Sequence, residues 1–103
     1  MHISEKIQLI FRSEEVERIR ISERESGVIS LVVDVHGMKC CQAKRFINNL
    51  INLVRCECLL TVIHGYNHGD AILNMIRSDL ENRHITDKYP DQYNKGVTYL
   101  SVA

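Results

Sequence analysis

Several familiar signatures are missing from this chain, and each absence closes off a class of protein. No apolar run approaches the roughly eighteen residues needed to cross a bilayer, so no membrane partner is expected. Glu5 and Lys6 interrupt the apolar start of the chain, and no small-residue cleavage site follows. That pattern does not read as a signal peptide, and a cytoplasmic location is the default expectation. There is no Cys-x-x-Cys; the four cysteines stand at 40, 41, 56 and 58. Cys56 and Cys58 would share a face on a strand, yet no second pair at ligand spacing accompanies them. Reduced thiols are expected, and no metal is assigned to them. Neither a G-x-G-x-x-G fingerprint nor a P-loop is present, which argues against a nucleotide cofactor.

An excess of one charge is missing too. Lys plus Arg number 13 and Asp plus Glu number 13. No tail hides the balance: residues 1–27 carry five basic and six acidic side chains, and residues 28–103 carry eight and seven. A phosphate backbone usually selects a basic partner, so any positive surface here has to be a local patch.

What is present suits one small α/β domain. Hydrophobic residues make up 45% and charged residues 25% of the 103, the balance of an ordinary globular chain. Residues 1–27 read as an extension that packs on the rest. Ile3, Ile7, Ile10 and Phe11 fit one helical face, continued by Val16 and Ile19, while the alternation of Ile19 and Ile21 suggests a strand instead. Ser26-Gly27 closes the extension as a turn.

The main domain spans 28–103. VISLVVDV at 28–35 and CLLTVI at 58–63 look like strands buried on both faces, each ended by His-Gly. Between them, Ala43, Phe46, Ile47, Leu50, Ile51 and Val54 make one helical stripe over 41–54. A second helix is expected over 70–82 with Ile72, Met75, Ile76 and Leu80 inward. Strands follow at 85–89 and 97–102, after the turn signal at 94–96. The expected order is β-α-β-α-β-β in a four-stranded mixed sheet. LVVDVHGM at 31–38 and LLTVIHGY at 59–66 resemble each other, 28 residues apart. A strand–helix–strand unit pairs its strands in parallel, so both His-Gly pairs should leave the sheet at the edge where open α/β sheets bind ligands.

Chemistry concentrates there. Asp34 and His36, two apart, share a face. A carboxylate in an apolar strand needs a partner, and an imidazole so oriented could act as general base or acid. A capping role for Asp34 and loop hydrogen bonds for the histidines are the structural alternative. His64 comes from the neighbouring strand. Gly65, Tyr66, Asn67, His68 and Gly69 run into the second helix, where glycines and a helix N-terminus could present N–H groups to an anion. An ordinary tight turn is the competing reading. Lys39, Lys44 and Arg45 near the same edge could receive phosphates or form a solvated helix face, and Tyr66 could stack on a base or plug the loop.

These segments resemble the Smr (small MutS-related) domain family. Val33-Asp34-Val35-His36-Gly37-Met38 is similar to its Leu-Asp-x-His-Gly-Met strand end, and the 64–69 loop before Asp70-Ala71-Ile72 is similar to its second, glycine-rich His-Gly motif. Gly96-Val97-Thr98-Tyr99-Leu100 resembles its last strand, and residues 1–27 lie outside the likeness. Tyr66 and Asn67 depart from the Lys and Gly of many relatives, and Asp70 adds negative charge. The resemblance implies a two-layer α/β sandwich like the C-terminal domain of bacterial translation initiation factor three. It implies a nucleic-acid-binding domain with DNA or RNA as partner, from a family associated with DNA-nicking or RNA-cleaving endonuclease activity (a phosphodiester hydrolase or RNA transesterase), some relatives acting at ribosomes; binding is the first expectation and cleavage the second. Asp34, His36 and His64 would be catalytic; Gly37, Lys39, Gly65, Tyr66, Asn67, His68 and Gly69 would bind substrate. Cleavage of RNA through the 2′-OH needs no metal, whereas DNA hydrolysis would use a divalent cation, Mg²⁺ or Mn²⁺, on Asp34. The alternative function is a non-catalytic module that binds nucleic acid or a ribosome-associated protein.

Overall fold

A computed structural model describes residues 2–23, 27–66 and 69–103. The chain runs through α1 (Ile3–Ile10), α2 (Ser13–Val16), β1 (Ile19–Glu23), β2 (Ile29–Asp34), α3 (Cys40–Val54), β3 (Cys58–Ile63), α4 (Ala71–Asn74) with a π-helical turn (Met75–Asp79), β4 (Ile85–Pro90) and β5 (Val97–Val102). The strands form one mixed sheet in the order β1-β2-β3-β5-β4. β2 and β3 pair in parallel, as expected from the helix between them. The other three pairings are antiparallel. No helix among the described residues is long and apolar enough to cross a membrane.

The sheet has five strands, not the expected four, because the N-terminal segment supplies β1 along the whole of β2. Its alternation of Ile19 and Ile21 was the signal: both side chains pack against the core, while Arg20 and Ser22 face out. Ahead of β1, Ile3, Ile7 and Phe11 enter the same core, and Phe11 meets Phe46 of α3 edge-on at 5.4 Å between ring centres. Ile10 departs from the expected helical face and is exposed. The expected turn includes Ser26, which lies outside the described residues, whereas Gly27 adopts φ +82°.

The expectation that the two central strands are buried on both faces is corrected by their burial. Leu31, Val33, Leu60 and Val62 are sealed in the core with α3, whereas Ser30, Val32, Asp34, Leu59, Thr61 and Ile63 are only partly covered. Thus the helices and the sheet build one core on one face of the sheet. The apolar run looks continuous because Val32, Ile63 and Val97 also line the open face beside Asp34, Thr61 and Tyr99.

All six apolar residues of the α3 stripe are buried. The second helix is shorter than expected. It loosens into a π-turn after Asn74, and Leu80 N–H donates to the Met75 carbonyl at 2.8 Å. Its end is capped by the Lys88 amine from β4, which donates to the carbonyls of Ile76 (2.8 Å) and Leu80 (2.6 Å) and places a cation where the last helix carbonyls collect negative charge. Beyond it, Asn82 donates to the side-chain oxygens of Asn48 and Asn52 on α3.

Because α1 helps seal the core, Ile7→Ala is expected to lower the unfolding free energy by about 2–5 kcal/mol with an unchanged denaturant slope. Urea titration measures this; a loss below about 0.5 kcal/mol, typical of a surface change, would show that α1 is only laid against the domain.

Candidate functional site

The parallel register sets Asp34 beside Ile63, so β2 and β3 end together and their His-Gly pairs emerge as neighbours. Val35 N–H donates to the Ile63 carbonyl at 2.9 Å and ties the two exits. Gly65 adopts φ +71°, a backbone region that disfavours a side chain, and a Cβ there would stand 3.5 Å from His36 Cβ.

The turn after β4 holds this edge from the far side. The Asp91 carboxylate accepts from Tyr99 Oη at 2.5 Å and from the N–H groups of Tyr93 and Asn94 at 3.0 and 2.9 Å. The tyrosine bond, then the two amides, hold the Asp91 carboxyl below its ordinary range. The turn delivers Gly96, whose carbonyl accepts from His64 N–H at 2.9 Å and Gly65 N–H at 3.1 Å. A Cβ on Gly96 would come within 3.1 Å of Gly65 Cα, so the position leaves little room for any other residue.

The two histidines then part ways. Asp34 Oδ1 accepts the His36 backbone N–H at 3.1 Å and makes a short contact with ring Nδ1. A carboxylate only accepts, so in the neutral ring Nδ1 carries the proton and Nε2 keeps a lone pair. Among the described residues nothing bonds Nε2, and the His36 side chain is 65% exposed. His64, by contrast, is 5% exposed. Its Nδ1 donates to the Gly65 carbonyl at 2.8 Å, and Nε2 is 2.9 Å from Thr98 Oγ1. In the neutral ring Thr98 donates to Nε2, and both ring nitrogens are engaged.

Two clefts flank His36. One, of about 650 Å³, brings His36, Gly37, Lys39, His64, Gly65, Tyr66 and Gly69 together, with Met38 and Ile72 as apolar lining. Asn67 and His68 lie outside the described residues. The other, of about 480 Å³, opens on the bare sheet face and contains Asp34 and His36 with Glu14, Glu17, Arg18 and Arg20. Asp34 therefore touches His36 from behind the first cleft and does not line it. Sequence reasoning missed Thr98, Gly96 and the four residues of the N-terminal segment. A lone threonine facing the core from an apolar strand was a usable signal for Thr98; Arg18 and Arg20 gave none.

At the opposite sheet edge a third cleft, of about 910 Å³, is lined by Arg55, Arg83, His84, Asn52 and Asn82 among others. It holds no carboxylate–imidazole pair. The cysteines are free: Cys41 and Cys56 are exposed and Cys58 is buried. Burial, with Cys56 nearby, pushes the Cys58 thiol up to about 11. Among the described residues no three His, Cys, Asp or Glu side chains gather as a metal set. Asp34 shares the second cleft with the carboxylates of Glu14 and Glu17, and its own Oδ1 is engaged by His36.

No protein-family model matches the chain, and no curated protein matches it either.

Thr98→Val is expected to leave His64 Nε2 buried without a partner, at a cost of about 1–3 kcal/mol in urea unfolding. A neutral result would mean that His64 reaches solvent. Alkylation of the native protein near neutral pH is expected to modify Cys41 and Cys56 and spare Cys58 until the chain unfolds; equal rates for all three would contradict the burial of Cys58.

Proposed function

We propose that this chain is a nucleic-acid-binding domain in which Asp34 and His36 cleave a phosphodiester, with RNA as the substrate. The observation that supports this best is the polarised imidazole: Asp34 occupies Nδ1, and Nε2 stands open at the junction of two clefts. A base so placed suits the 2′-hydroxyl of RNA. His36 Nε2 takes its proton, the 2′-oxygen attacks phosphorus to form a 2′,3′-cyclic phosphate, and the P–O5′ bond breaks, the departing 5′-oxygen taking a proton from solvent. DNA lacks that hydroxyl and would need an activated water instead. The resemblance to the Smr family supports the same reading.

In this reading Lys39 contacts phosphate, Tyr66 stacks on a base, and Gly37, Gly65 and Gly69 let the substrate approach the backbone. Asn67 and His68 belong to the same loop by sequence. His64 serves by position: its two bonds hold the Gly65 carbonyl and tie the loop to β5.

The test pairs binding with chemistry. Fluorescence anisotropy at two salt concentrations and single-turnover cleavage are measured on the same RNA and DNA, with and without Mg²⁺ or Mn²⁺. His36→Ala is expected to lower cleavage by about 10²–10⁴-fold while binding falls by no more than about 1–3 kcal/mol, and Asp34→Asn should act in the same direction. Saturable binding without products would instead make the chain a binding module. If neither nucleic acid binds at low salt, the reading fails, and a ribosome-associated protein becomes the partner to seek.

A further inference from the structure

The N-terminal segment does more than extend the sheet. Arg18, just before β1, makes three hydrogen bonds to the stretch that carries the Asp34–His36 pair. Its Nη1 donates to the Asp34 carbonyl at 3.1 Å and to the His36 carbonyl at 3.2 Å. Its own carbonyl accepts from Asp34 N–H at 2.9 Å. The side chain therefore bridges the carbonyls on both sides of Val35, where the strand ends and the turn begins.

We propose that Arg18 is a positioning residue for the Asp34–His36 pair, so that the working site includes the N-terminal segment and not only the two His-Gly loops. This rests on the reading of that pair as the reacting one. The physical argument is local. The Nδ1 contact requires His36 to leave the strand at an angle that turns its ring back onto a carboxylate two residues earlier. Beyond Asp34 the strand ladder has ended, and the His36 carbonyl sits in an exposed turn. A single cationic nitrogen bonded to the carbonyls of 34 and 36 fixes their separation, and with it the relative angle of the two side chains. Charge-assisted bonds of this kind are stronger than neutral ones. Val35 supplies the third restraint: its side chain is fully buried and its N–H is bonded to Ile63.

Both side-chain bonds come from one nitrogen, and this yields a discriminating variant series. Arg18→Met keeps the apolar stem and removes every donor. Arg18→Lys restores one cationic nitrogen that can bridge the same two carbonyls. The first readout is the ring of His36, followed by long-range ¹H–¹⁵N NMR of the full chain. At alkaline pH, where the imidazole is neutral, the parent should show the proton on Nδ1, the Met variant a mixture of both tautomers, and the Lys variant a pattern closer to the parent. The second readout is single-turnover cleavage of RNA. A displacement of the base should lower the rate by up to about 10²-fold in Arg18→Met, more than it weakens binding, with partial recovery of the rate in Arg18→Lys. Urea titration controls for folding; should Arg18→Met not fold, Arg18→Ala, which likewise carries no donor, takes its place. A folded donor-less variant with the parent's ring pattern overturns the proposal. A parent that cleaves nothing overturns the assigned reaction instead, and the NMR comparison still decides whether Arg18 sets the ring.

Discussion

The parallel pairing of β2 with β3 is the constraint on which the rest depends. Its register sets Asp34 against Ile63, so two strands that could have ended at different heights end at one. Each is followed by His-Gly, and the two turns are close enough that a side chain on Gly65 would touch His36. α3 makes this pairing obligatory, because a chain that leaves the top of one strand and returns along a helix must start the next strand at the bottom. The sealed stripe of α3 against Leu31, Val33, Leu60 and Val62 holds the register, since a slip of one residue would turn those side chains onto the open face.

Within that frame two identical dipeptides take opposite roles. Asp34 precedes His36 by two residues, whereas the equivalent place before His64 is Val62. The first histidine finds a carboxylate on its own strand and keeps Nε2 outward. The second has none and turns inward to Thr98 and the Gly65 carbonyl. Burial follows the same division, with the His36 side chain 65% exposed and His64 enclosed. The network behind His64, from Asp91 through Gly96 to Gly65, ties one wall of the cleft to the turn before β5. Arg18 supports the other wall.

Much of this is legible in the sequence. The α3 stripe, both central strands, the last two strands and the parallel pair follow from period and punctuation, because burial on one face dictates each pattern. Asp34 stood out as a charge in an apolar strand, and its partner was the nearest imidazole. Other features were hidden for physical reasons. β1 is short and mixes Ile with Arg and Ser, so its strand signal was no stronger than the competing helical one. The open sheet face carries enough Val, Ile and Leu to mimic burial on both sides. The end of the second helix is capped by the amine of Lys88 from a later strand, a contact that no local pattern encodes. Arg18 acts through backbone carbonyls, which leave no trace in residue spacing.

The central claim is that the edge carrying His36, and not the opposite edge carrying Arg55, Arg83 and His84, receives the nucleic acid. Histidine ring resonances report on both ends of the sheet at once. A short single-stranded RNA with its reactive 2′-hydroxyl replaced by 2′-O-methyl, so that it binds without turnover, is titrated into the protein at low salt while the Cε1–H signals of His36 and His84 are followed. The account predicts a saturable shift of the His36 signal, with His84 unmoved. A shift of His84 alone, or of neither, would contradict it.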